Sequence, residues 1–218
     1  MNELLFCIQA FAVFGFTVLA AKRGWLAGWM GLLTILANLF VTKQITLFGL
    51  EVTASDVYAV GLFLSLNILQ EYWGDQEAKR GIEASLASQL MFLLLSQLHL
   101  WLHPSSHDTS QSAFAAILSF YPRILAASVA TLCLVQVWEV RLFGWMKRRY
   151  FLMSFNLRNV LCLLISQALD TLIFGFLGLY GIVDDLVAVM VWSFLVKAIL
   201  TMAVPLLTPY LRRYVVQV

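Results

Sequence analysis

The chain has 218 residues, of which 61% are apolar and only 12% charged, with a net charge of +2. About a quarter of the residues in an ordinary soluble domain are charged, and the mean hydropathy here is +0.86. That balance excludes a soluble enzyme, a nucleic-acid-binding domain and a disordered chain, and leaves an all-α, polytopic membrane protein forming a single transmembrane domain over residues 1–218.

A helix needs about 20 mostly apolar residues to cross the hydrocarbon. Candidate runs fall at about 3–21, 25–42, 55–74, 81–101, 118–142, 157–180 and 185–210. Seven spans are expected. Six is the alternative, because charges cluster between the third and fourth runs. The alternation that marks a membrane β-barrel is missing, so the runs read as helices. Asn2 and Glu3 precede the first run where a cleavable leader would carry basic residues, so this run is expected to remain as a span. Basic residues gather after every second run: Lys22 and Arg23; Lys79 and Arg80; Arg141, Lys147, Arg148 and Arg149; Arg212 and Arg213. Basic loops stay in the cytoplasm, so the N-terminus is expected outside and the C-terminus inside. Cys7, Cys133 and Cys162 lie far apart within apolar runs and read as reduced packing residues.

Polar residues inside spans are expensive and mark functional sites. In the third run Asn67, Gln70, Glu71 and Gly74 stand at i, i+3, i+4 and i+7, on one helical face. That face is expected to line a cavity or another helix, with Gly74 a point where the helix can break. The plainer reading makes Glu71 an acid at the membrane interface. In the sixth run Arg158 and Asn159 precede Ser166, Gln167, Asp170 and Thr171, with Asp170 near mid-span. In the seventh, Lys197 stands between Ser193 and Thr201. Asp170 and Lys197 are natural partners, either as part of a pathway or as an ion pair that only orients helices. Gln136, Glu139 and Phe143 repeat the type and spacing of Gln167, Asp170 and Phe174, as an inverted repeat would; the plainer reading of Glu139 is an interfacial acid near Arg141. His99, His103 and His107 have helical spacing, but Pro104 interrupts them, and no metal is expected.

These residues resemble the queuosine precursor transporter family, also described as vitamin uptake transporters. The pattern is carried by Glu71, Trp73, Gly74, Lys79 and Arg80, then by Arg158, Asn159, Ser166, Gln167, Asp170, Thr171 and Phe174, and by Lys197 in the last span. The chain departs from the pattern at Asn67, where Asp is common, and at Asp75 and Glu77, where basic residues are common. The resemblance implies a multi-pass carrier of the bacterial inner membrane that imports queuine or its 7-cyano or 7-aminomethyl precursors. It implies no cofactor and no catalysis, and leaves an oligomer open. A carboxylate, Glu71 or Asp170, would accept from the base's N1–H and exocyclic amine. Asn67, Gln70, Gln167 or Asn159 would donate to O6. Trp73, Phe174 or Trp192 would stack on the ring. Arg158 and Lys197 complete the expected substrate-binding set. Coupling is either absent or carried by protons through Asp170 or Glu71. Three rivals predict other things: a substrate-binding subunit of an energy-coupling-factor importer would carry an Ala-x-x-x-Ala docking pattern in its first helix, an intramembrane enzyme would align His, Ser or Asp groups at one depth, and a purely structural protein would tolerate apolar residues at Gln167 and Asp170.

Overall fold

The computed structural model describes residues 1–215; the last three residues of the expected 1–218 domain lie outside the described residues. Helix α1 (Asn2–Arg23) ends where Gly24 turns left-handed at φ 71°, and α2 (Leu26–Phe40) follows at once. A hairpin not anticipated from the sequence comes next: β1 (Gln44–Leu47) pairs antiparallel with β2 (Leu50–Thr53). Phe48 and Gly49 form its two-residue turn with φ of 51° and 81°, the left-handed backbone that matches strand twist. Helices α3 (Asp56–Tyr72) and α4 (Asp75–Trp101) are separated by a tight turn. Gly74 supplies that turn at φ 91°, so it ends α3 instead of opening a break within a span.

The short α5 (Gln111–Leu118) precedes α6 (Tyr121–Arg149), whose first turn holds Pro122 where no intrahelical donor is needed. Before α5, Asp108 accepts from the amide and the hydroxyl of Ser110, which holds its carboxyl below the ordinary range. Ser154 caps α7 (Phe155–Phe174), which runs on into a π-helical turn at Gly175–Leu179. Asp185 caps α8 (Leu186–Ala203) through the Ala188 amide. A 3₁₀ turn at Val204–Leu207 leads to α9 (Thr208–Val215).

All seven expected runs are helical. Among the described residues, five stretches are long and apolar enough to cross a membrane unaided: Asn2–Lys22, Asp75–Trp101, Gln111–Arg149, Phe155–Leu179 and Leu186–Leu211. At about 1.5 Å per residue, α2 and α3, with 15 and 17 residues, fall short of a 30 Å core. The reason differs for α3. It is the central helix, packed against α1, α2, α4, α6, α7 and α8. Val57, Val60, Leu64, Leu66 and Ile68 are fully buried within it, so its ends need not meet lipid.

Apolar side chains cover the outside of the bundle: Phe11, Leu94 and Ile199 are all exposed. The inside holds fully buried Asn67, Gln89, Gln136, Glu139, Ser166 and Gln167. This distribution, apolar rim and polar interior, is that of a helical bundle in lipid.

Candidate functional site

The polar interior falls into three layers along the bundle. The layer at the hairpin end surrounds a cavity of about 80 Å³. Its wall includes Asn38 on α2, Thr53, Asp56 and Phe63, Gln89 on α4, and Gln136 on α6. Asp170, Thr171 and Phe174 on α7 and Ser193 and Lys197 on α8 complete it. The Lys197 ammonium donates to Asp170 Oδ2 and to Thr171 Oγ1, each at 3.1 Å, and stands 3.9 Å from Asp56 Oδ1. The pairing of Asp170 with Lys197, expected from their depth, is therefore present, and it has a second carboxylate beside it.

Asp56 was missed by sequence reasoning because it stands at the first residue of a span, where a charge reads as interfacial. The hairpin changes its surroundings. Thr53 Oγ1 donates to Asp56 Oδ1 at 2.8 Å, and the Thr53 amide donates to Ser193 Oγ at 3.3 Å, so the strand folds over the helix start. Asp56 is 1% exposed, and its Oδ2 has no partner. The only sequence signal was the run of hydroxyls, Thr53 and Ser55, before the acid. Gly175 lets α7 and α8 close at this end: a Cβ there would stand 2.7 Å from Met190 Sδ.

The opposite layer is an interlocked cluster. Glu71 Oε2 accepts from Arg158 Nη2 at 2.6 Å and pairs with Lys147 at 3.1 Å. Lys147 also donates to the Glu71 carbonyl, and Arg158 lies over the Phe143 ring, 4.9 Å from its centre. Gln70 donates to Asp75 and to the Val140 carbonyl, at 2.9 and 2.7 Å, tying α3 to α4 and α6. Asn67 Nδ2 donates to Asn159 Oδ1 at 2.7 Å, tying α3 to α7. Such charge-assisted, multiply bonded contacts hold helix ends together.

Between these layers lies a third. Glu139, Ser166 and Gln167 are each 0% exposed. Glu139 stands beside Ser166 and Asn67, yet neither of its carboxyl oxygens makes a full hydrogen bond. Its burial overturns the expectation of an interfacial acid near Arg141: α6 continues inward-facing past Glu139, and its basic end comes only at Lys147–Arg149.

The structure thus divides the sequence-derived set. It brings Asp170, Phe174 and Lys197 together at the cavity. It places Asn67, Gln70, Glu71, Arg158 and Asn159 in the interlocked cluster. Gln167 is in the intermediate layer. Trp73 is 39% exposed at the rim beside Tyr72, and Trp192 packs on the core outside the cavity wall.

Residues 53–211 match the family described as "Putative vitamin uptake transporter". The chain is also 31% identical over 173 residues to the "Probable queuosine precursor transporter" of Bacillus subtilis (strain 168), which covers 78% of this chain and 75% of that protein. No solved structure matches the chain. A multi-helix membrane bundle with an internal polar cavity agrees with these two matches, and the chain belongs to the vitamin uptake transporter family.

Proposed function

We propose that the protein imports a queuosine precursor, a 7-deazaguanine base, through the hairpin-end cavity. The observation that carries this reading is the chemistry of the cavity, in a chain 31% identical to a protein named for that transport. A 7-deazaguanine is flat, with donors and acceptors around its rim. The cavity offers the carboxylates of Asp56 and Asp170, the amides of Asn38, Gln89 and Gln136, and the rings of Phe63 and Phe174. Such a mixture of apolar wall and a few placed polar groups is what small-molecule sites present. The proposed substrate-contacting residues are thus Asp170, Lys197 and Phe174, with Asp56 added.

The basic-loop pattern puts the hairpin end outside and the Glu71–Arg158 cluster at the cytoplasmic face. The resulting picture is a carrier open to the exterior and locked at the interior. The chain has no phosphate-binding glycine loop, so ATP is not its direct energy source. A relative named as a queuosine precursor transporter favours this reading over a subunit of an energy-coupling-factor importer.

The test is the queuosine content of tRNA in cells that depend on imported precursor. Deleting the protein is expected to abolish queuosine, and restoring it to return the modification. Unchanged queuosine after deletion contradicts the assignment.

A further inference from the structure

Three fully buried side chains stand at the cavity floor or directly beneath it, and the ion-pair chemistry above and below uses none of them. Gln136 forms part of the cavity wall. Glu139 lies one turn deeper on the same face of α6. Gln167 lies on the neighbouring α7. All three are 0% exposed, and every terminal oxygen and nitrogen of all three lacks a hydrogen-bond partner. Among the described residues Glu139 forms no salt bridge; the buried cations Lys197 and Arg158 serve Asp56, Asp170 and Glu71 instead. Buried polar atoms are normally paired, and a group of unpaired ones on facing helices marks where a polar ligand belongs.

We infer that Glu139, with Gln136 and Gln167, reads the pairing edge of the base and sets the specificity of transport. The inference rests on the import reading above and goes beyond it by naming the determinant. As the ionised carboxylate, the form that two donors from the base would favour, Glu139 offers two acceptor oxygens in one plane. A guanine-type edge offers N1–H and a 2-amino hydrogen side by side, the matching pair of donors. The amide nitrogen of Gln136 or Gln167 supplies the donor that the 6-oxo group needs, and the amide oxygens accept from the ring's remaining N–H. The edge enters past Gln136, while the Asp56–Lys197–Asp170 group stays above with the substituent at the far side of the ring. A base lacking the 2-amino group would leave one Glu139 oxygen unpaired, and sites built on buried hydrogen bonds reject such analogues strongly.

The experiment is competition for uptake of labelled 7-aminomethyl-7-deazaguanine in vesicles carrying the full-length protein, using unlabelled bases with and without the 2-amino group. The wild type is expected to prefer the 2-amino base by about tenfold or more. Glu139→Gln is expected to bring that ratio to within about threefold, whereas a purely structural role would weaken both competitors equally and keep the ratio. If Glu139→Gln fails to reach the membrane, Gln136→Leu and Gln167→Leu carry the test through the ratio of 6-oxo to 6-amino bases, which must fall in at least one of them. Wild-type uptake with unchanged ratios in the variants overturns this inference alone. No wild-type uptake of labelled 7-aminomethyl-7-deazaguanine or of labelled queuine overturns the import reading and this inference with it.

Discussion

The two ends of the bundle hold similar residues in opposite arrangements. At the hairpin end one cation, Lys197, is shared between two carboxylates, Asp170 at 3.1 Å and Asp56 at 3.9 Å, around open space. At the other end two cations, Arg158 and Lys147, converge on one carboxylate, Glu71, with an aromatic ring filling the space beneath the guanidinium. The first arrangement leaves acceptor atoms unused, including Asp56 Oδ2. The second binds α6 and α7 to α3. Ion pairs of the same kind thus border a cavity at one end and lock helices together at the other, and only the balance of charge and packing tells them apart.

The largest effect is expected where this balance is lost. Lys197→Met leaves Asp56 and Asp170 facing each other in a buried site with no cation, and removing one partner of a buried pair costs about 3–5 kcal/mol. A clear drop in unfolding temperature in detergent, together with loss of uptake, is the expected result. An unchanged unfolding temperature would mean that the hairpin-end group is not a coupled unit.

A smaller effect is expected from loosening the opposite end. Cys162 is fully buried one turn along α7 from Arg158, with its thiol against Met146 Sδ. With the exposed Cys7 and Cys133 replaced by Ser, Glu71→Gln is expected to raise the labelling rate of Cys162 by a thiol reagent roughly tenfold, as a shift of about 1.4 kcal/mol would. An unaltered rate would show that the Glu71 cluster does not hold this end shut. The smallest effect belongs to Trp73, exposed at the end of α3 on the Glu71 side and away from the hairpin-end cavity. Trp73→Ala is expected to leave uptake within about twofold, as surface changes away from bonded groups do. A large loss would move the stacking surface from Phe63 and Phe174 to this face.

The seven helical runs were legible because long apolar stretches and alternating basic loops are strong, local signals. The 44–53 hairpin was not. Its Phe48–Gly49 turn lacks the usual Asn-Gly pattern, and its strands have four residues each. That gap hid Asp56, whose burial depends on the hairpin folding over it. Asp170 and Lys197 could be paired from depth alone, since lone charges at mid-span require partners. Glu71 and Glu139 were harder to separate. Both are acids near basic residues in sequence, but helix rotation turns Glu71 toward Arg158 and Lys147 and turns Glu139 into the bundle. Periodicity gives a face, and only packing says what that face meets.

The central claim is that the hairpin-end cavity carries a 7-deazaguanine base. It is tested most directly by uptake of labelled queuine into vesicles containing wild-type protein or Asp170→Asn at equal amounts. Protein-dependent uptake that falls by about tenfold or more in Asp170→Asn, with the variant still folded in the membrane, is the predicted result. Equal uptake by the two proteins, or none above empty vesicles with the wild type, would contradict it.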